Sequence, residues 1–226
     1  GARLDPGAPA PAPTIVFLHG GGFVVCDIDV YDGFARQLAK RSGMRVVTVD
    51  YALAPEHPFP AALDDAAATL RWMASQAAAL RIRPDRIAVG GDSAGGNLAA
   101  ALALMARDGS VPGLVLQALL YPVLDLTASS DSYRRVTSGV PLTAATMHYF
   151  ISHYTPRAED RLDWRASPLL HADHAGLPPA LVLTAGYDPL RDEGLAYAHK
   201  LSAAGGRATH VSFERQIHGF ILMGRV

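Results

Sequence analysis

Short apolar runs, each followed by a stretch of helical character, recur along most of the chain. Residues 14–18 (Thr-Ile-Val-Phe-Leu) are continuous, β-branched and aromatic, and lie between Pro13 and His19-Gly20. A run with no polar face predicts a strand buried on both sides, as in a parallel sheet. Residues 45–49, 86–90, 114–120, 180–184 and 209–213 repeat the pattern. Between them, residues 31–41 (apolar at Tyr31, Phe34 and Leu38, stopped by Ser42-Gly43), 61–80, 94–106 and 190–203 predict helices. Residues 51–60 contain three prolines and read as a fixed loop. Six strand–helix alternations imply an α/β fold, with a mostly parallel central sheet flanked by helices.

The rhythm stops between residues 125 and 177. That stretch has no buried-strand run. It holds Ser/Asp-rich turns, a candidate amphipathic helix at Ala144–Tyr154 and a charged, Trp-containing segment. Insertions of this length between strands are usually functional, and a lid is the common kind. The expected organisation is a catalytic domain made of residues 1–124 and 178–226, with residues 125–177 inserted as a cap. No repeat or linker divides the chain further.

Composition narrows the partners. At 226 residues, half of them hydrophobic, the chain can bury one sizeable core. Its 20 Lys+Arg nearly cancel 21 Asp+Glu, with no basic run, which argues against nucleic acid and anionic membranes. No apolar run approaches the roughly 18 residues of a spanning helix. Residues 1–13 are Ala/Pro/Gly-rich and lack the layout of a signal peptide, so a cytoplasmic location is expected. The single cysteine, Cys26, excludes an intrachain disulfide, suits a reducing compartment and reads as a small buried hydrophobe.

The candidate chemistry sits where strands end, because open parallel sheets bind ligands beyond the carboxyl ends of their strands. The third run enters Gly91-Asp92-Ser93-Ala94-Gly95-Gly96 and an Ala/Leu-rich helix leaves it. G-x-S-x-G alone is a common pattern, but a strand before it and a helix after it make it a nucleophile elbow. The fifth run is followed by Asp188 and the last by His218. Ser, Asp, His is the chain order of an α/β hydrolase. Ser93 needs a base to take its proton, His218 has the near-neutral pKa for that task, and Asp188 fixes the imidazole tautomer. After the first run, His19-Gly20-Gly21-Gly22-Phe23 supplies N–H groups unobstructed by Cβ atoms, one half of an oxyanion hole; the N–H of Ala94 is the other half. His19 reads as a loop anchor and Asp92 as a structural hydrogen-bond acceptor pointing away from Ser93. Asp192 and Glu193 read as first-turn partners of a helix dipole, and His210 as a packed or surface residue of the last strand. His148, His153, His171 and His174 lack metal-ligand spacing, so neither metal nor cofactor is expected.

His19 to Phe23, residues 51–61 (YALAPEHPFPA), 91–98 (GDSAGGNL), 188–194 (DPLRDEG) and His218-Gly219-Phe220 together resemble the hormone-sensitive-lipase-like esterases, the bacterial family IV carboxylesterases of the GDSAG group. The resemblance implies an α/β-hydrolase fold under a helical cap and cofactor-free hydrolysis of carboxylic esters with short to medium acyl chains. It implies Ser93, Asp188 and His218 as the triad and Gly21, Gly22 and Ala94 as oxyanion donors, a small-molecule ester as partner, and a possible homodimer. Ala52 stands where the family's loop motif usually has arginine, at a scaffold position. The family also carries upstream cap helices, early antiparallel strands and a final helix. About a dozen residues precede the glycine-loop strand and eight follow His218, so the sequence reads as a longer protein whose ends are cut or left out, with apolar sheet surface uncovered. Tyr149, Phe150 and Trp164 fit an acyl pocket or packing within the cap equally well.

Two other readings share these motifs. A non-catalytic receptor on the same scaffold resembles the plant gibberellin receptors, in which the histidine position is replaced; His218 is present here. An amidase, lactonase or peptidase would use the same triad and oxyanion hole.

Overall fold

The alternating runs assemble into one seven-stranded sheet in the computed structural model of the chain, which describes residues 2–4 and 11–223. In chain order the elements are β1 (Ala2–Leu4), β2 (Ala12–Leu18), α1 (Asp32–Ser42), β3 (Arg45–Val49), α2 (Ala61–Ser75), α3 (Ala77–Leu80), β4 (Ile82–Asp92), α4 (Ala94–Arg107), β5 (Leu116–Leu120), α5 (Asp131–Arg135), α6 (Ala144–Tyr154), β6 (Ala180–Tyr187), α7 (Arg191–Ala203) and β7 (Ala208–Ile217). The sheet order is β1-β3-β2-β4-β5-β6-β7, and β2 to β7 are parallel to one another. β1 pairs antiparallel with β3 and adds an early antiparallel strand that the hydrophobic pattern does not predict.

All six predicted strands and the helix at 144–154 form, with differences at their ends. The helix expected over 61–80 is divided at Gln76 into α2 and α3. β4 begins at Ile82, through the Arg83-Pro84 pair that signals a break. Pro84, Asp85 and Arg86 are exposed there, so the missing proline N–H costs no buried ladder bond. Within 125–177 the pattern finds α6 but not α5 or the two 3-10 turns at Ala158–Leu162 and Pro168–Leu170. These elements are only three to five residues long, too short to show periodicity.

α4 is the centre of the core. Its residues Leu98 through Leu104 are fully buried, because alanines let the helix lie close to the sheet on one face and to α2 on the other. α2 presents Ala62, Leu63, Ala66, Ala67, Leu70 and Met73 as one buried stripe at helical spacing. Each leucine buried this way contributes about 1.5–3 kcal/mol. At the other edge β7 is poorly covered: Val211 and Phe213 are each 37% exposed. Among the described residues, no helix is long and apolar enough to cross a membrane.

Gly95 brings α4 close against the end of β2. A Cβ on Gly95 would overlap the Leu18 carbonyl and crowd that of His19. The obstructing atoms are backbone and cannot rotate away. Gly95→Ala is therefore expected to destabilise the protein by about 3 kcal/mol or more, or to abolish soluble folding. Urea denaturation of the two proteins checks this; equal midpoints would contradict the packing described.

Candidate active site

Each of the three residues predicted as the triad is the first one past the paired end of its strand. Leu18 pairs with Gly91, Asp92 with Leu120, and Tyr187 with Ile217. His19, Ser93, Tyr121, Asp188 and His218 therefore leave the sheet along a single edge. The chain leaves β2 toward β3 on one side and leaves β4 toward β5 on the other. The crevice where such connections diverge is where open sheets bind ligands. Ser93 and the glycine loop border that crevice.

Ser93 has φ 55° and ψ −118°, a conformation that L-residues rarely adopt. Backbone bonds hold it there. Its N–H donates to the Leu120 carbonyl at 2.9 Å, and its own carbonyl accepts from Asn97 and Val123, both at 3.1 Å. The hydroxyl stands 2.9 Å from Nε2 of His218, whose Nδ1 is 2.7 Å from Oδ2 of Asp188. Asp188 is fully buried, and its second oxygen accepts from the Leu190 N–H at 2.8 Å. With one oxygen committed to backbone, the other is left facing the imidazole. The register shift between β6 and β7 places Tyr187 opposite Ile217, four residues beyond Phe213, the partner of Ala185, and this bulge brings His218 onto Asp188. Tyr121 lies against the His218 ring at 4.6 Å between centroids. Serine and histidine, 125 residues apart in sequence, and histidine and acid, 30 apart, are one hydrogen-bonded line in space.

The glycine loop borders Ser93 on the β2 side. Gly21 has φ +117° and Gly22 φ +61°. The ring of Phe150 from α6 lies directly on Gly22, leaving no room for a side chain. Among the described residues, the N–H groups of Gly21, Gly22 and Ala94 donate to no protein acceptor. Three free donors beside a serine that faces a histidine can stabilise an oxyanion. The rest of the loop is fastened from below. The Tyr51 hydroxyl donates to the His19 carbonyl at 2.6 Å, its ring stacks on the His19 imidazole at 4.2 Å, and the Ala54 N–H donates to Phe23 at 2.9 Å. Phe23 in turn stacks on Tyr154 of α6. His19 is thus an anchor, and burial lowers its pKa and keeps it neutral.

Other expectations divide. Asp92 is an acceptor, as read, taking a hydrogen bond from the Tyr31 hydroxyl at 2.8 Å. Asp192 and Glu193 do lie in the first turn of α7, but the dipole reading is incomplete. Asp192 binds the Ser132 N–H at 2.9 Å and Arg135 at 2.8 Å. Glu193 is fully buried and accepts from the Leu124 N–H at 2.6 Å, fastening the chain soon after it leaves β5. His210 is half-buried against the Thr184 hydroxyl. His148, His153, His171 and His174 contact aromatic rings and carbonyls, and no metal-binding cluster occurs among the described residues. Of the three aromatics left open, Phe150 faces the glycine loop. Tyr149 is exposed, and Trp164 packs edge-on to His171. Cys26 is half-buried rather than buried, in a loop with positive φ, and burial raises its thiol pKa. Tyr31, read from sequence as an apolar helix position, contributes its hydroxyl to the site; no spacing signal could have shown that.

A serine at a strained strand-to-helix turn, an acid and a histidine past two later strands, and a glycine loop across the crevice define the hydrolase class of α/β proteins. Residues 15–222 match the family model described as alpha/beta hydrolase fold. The chain is 42% identical over 222 residues to the carboxylic ester hydrolase LipN of Mycobacterium tuberculosis, covering 96% of this chain and 59% of LipN. It is 41% identical to an ethyl acetate hydrolase of Pseudomonas putida, covering 94% of this chain and 67% of that one. The crystal structure of EstE1, a thermophilic carboxylesterase from a metagenomic library, superposes with a TM-score of 0.94 at 46% identity, covering 98% of this chain and 76% of EstE1. The chain belongs to the α/β-hydrolase family, in its hormone-sensitive-lipase-like branch. It spans 59% and 67% of the two curated relatives' lengths.

Two buried carboxyls give the site a pH signature. Burial raises Glu193 well above the usual carboxylate range, against the lowering effect of the Leu124 N–H, and pushes Asp92 up to about 6. An unfolded chain releases these protons near pH 4. Above that the folded state holds more protons than the unfolded one, so stability falls as pH rises until both raised values are passed. Glu193→Gln keeps the acceptor for Leu124 and removes the ionisation. It is expected to flatten the decline of stability between about pH 5 and 8, read from urea melts across that range. An unchanged slope would mean that Glu193 is ionised in the folded protein.

Proposed function

We propose that the chain carries the catalytic domain of a serine carboxylesterase acting on small carboxylic esters with short to medium acyl chains. The observation that carries this reading is the continuous line from Asp188 through His218 to Ser93, facing three free backbone N–H donors. In this reading His218 Nε2 takes the Ser93 proton as Oγ attacks the ester carbonyl. Asp188 holds the tautomer that leaves Nε2 unprotonated beforehand and stabilises the imidazolium that forms. The N–H groups of Gly21, Gly22 and Ala94 receive the developing oxyanion, each such donor being worth about 3–4 kcal/mol in the transition state. His218 then returns the proton to the departing alcohol, and water, activated by the same imidazole, releases the acid from Ser93.

Residues 125–177 serve as the cap in this proposal. They supply Phe150, whose ring stands over the glycine loop. The names of the relatives, carboxylic ester hydrolase and ethyl acetate hydrolase, support small esters as the substrate class. The lone, unpaired Cys26 supports a cytoplasmic setting.

Ser93→Ala is expected to lower kcat on p-nitrophenyl butyrate by about 10⁴-fold or more. Across p-nitrophenyl esters from acetate to palmitate, wild-type kcat/KM is expected to peak at the short end. Turnover that persists without Ser93 would sink the proposal. A peak at palmitate would sink the substrate class alone.

A further inference from the structure

The oxyanion hole described above is built from two separate pieces of chain. Ala94 belongs to the elbow after β4, and Gly21 and Gly22 to the loop after β2. Its geometry depends on the spacing between those pieces, and main-chain pairing of β2 with β4 ends at Leu18 and Gly91, before either donor group.

Past that point a side-chain bridge takes over. The Gly20 N–H donates to the Tyr31 hydroxyl at 3.0 Å, and that hydroxyl donates to Oδ2 of Asp92 at 2.8 Å. One end of the bridge is the residue before Ser93, and the other is the residue before the two donor glycines. Both side chains are only 2% exposed. The loop is pressed onto the pair: a Cβ on Gly20 would lie 2.6 Å from Asp92 Oδ2 and 2.9 Å from the Tyr31 oxygen. That contact, and not an unusual backbone angle, is why the first residue of the glycine triplet has no side chain. The tyrosine ring is fixed in turn by Phe17 and His19, with centroids at 6.2 and 5.7 Å. Among the described residues, no other side chain accepts a hydrogen bond from the loop's N–H groups between His19 and Phe23. In a site closed to water, a donor–acceptor chain of this kind is polarised along its length and resists displacement.

We propose that Tyr31, held by Asp92, is a positioning residue that ties the glycine loop to the nucleophile elbow and sets the distance between the two halves of the oxyanion hole. The proposal rests on the acyl-transfer reading above. Tyr31 touches neither substrate nor reacting atoms and acts through Gly20.

Tyr31→Phe removes the bridge and keeps the ring, so the contacts with Phe17 and His19 survive. Full loss of one oxyanion donor costs about 10²–10³-fold, so loosening the loop is expected to lower kcat on p-nitrophenyl butyrate by about 10–100-fold, with KM within threefold of wild type. The inhibition constant of phenylboronic acid, which forms a tetrahedral adduct on the serine, is expected to rise by the same factor as kcat/KM falls. Asp92→Asn retains an oxygen to accept from Tyr31 and is expected to stay within about fivefold of wild type. Far-UV circular dichroism and thermal melting confirm that each variant is folded. A Tyr31→Phe enzyme with wild-type kcat would overturn the inference, as would one with lowered kcat and unchanged boronate affinity. An Asp92→Asn variant as impaired as Tyr31→Phe would assign the effect to charge beside His218 and also overturn it. Absence of Ser93-dependent turnover in the wild type would overturn the esterase reading itself, an outcome distinct from the other three.

Discussion

Holding Ser93 at positive φ costs about 1–3 kcal/mol, and much of the surrounding structure bears that cost. Its N–H and carbonyl are bonded to β5, to α4 and to the chain leaving β5. Gly91 and Gly95 let the turn close, and Gly95 brings α4 against the Leu18 carbonyl. The same contact fixes how closely the end of β2 approaches the elbow. Strain at the serine, packing of α4 and placement of the glycine loop are one constraint seen from three sides.

The acid side of the site is built around buried carboxyls, and the fold keeps them apart in role. Asp188 has both oxygens occupied, one by the Leu190 N–H and one by His218. Glu193, five residues on, is shut away from water next to Asp125 and Asp188, where burial and like charge both favour its protonated form. A neutral Glu193 can accept from Leu124 without adding a further negative charge beneath the triad. Asp192 and Ser132 are bonded to each other, and the Ser132 hydroxyl donates to the Pro189 carbonyl at 2.5 Å. The start of the segment between β5 and β6 is therefore fastened to the turn that carries Asp188, and the far end of α6 to the glycine loop through Tyr154 and Phe23. That segment touches both walls of the crevice.

The proline-rich loop at residues 51–60 illustrates scaffold that resembles chemistry. Its tyrosine supports His19, its Ala54 N–H holds Phe23, and its Phe59 N–H donates to the Tyr154 carbonyl at 2.8 Å. At Ala52, where the family motif usually has arginine, the backbone N–H binds Asp65 of α2 at 2.9 Å, a contact that needs no particular side chain. The glycine loop keeps its anchors regardless.

The sequence alone determined the six parallel strands, the elbow, the Ser-Asp-His order and the glycine loop, because each is written in a local signal. Buried strands show as unbroken apolar runs, and the elbow as glycines two residues either side of a serine. Strand ends place chemistry at one edge without any distance being known. The tertiary structure decided what joins those signals. Tyr31 meets Asp92 across 61 residues of sequence, and Glu193 reaches Leu124 across 69. Phe150, not Tyr149 or Trp164, lands on Gly22. No period or spacing encodes these contacts. They follow from the register of β2 on β4 and from the path of the segment between β5 and β6, which are settled only when the whole core packs.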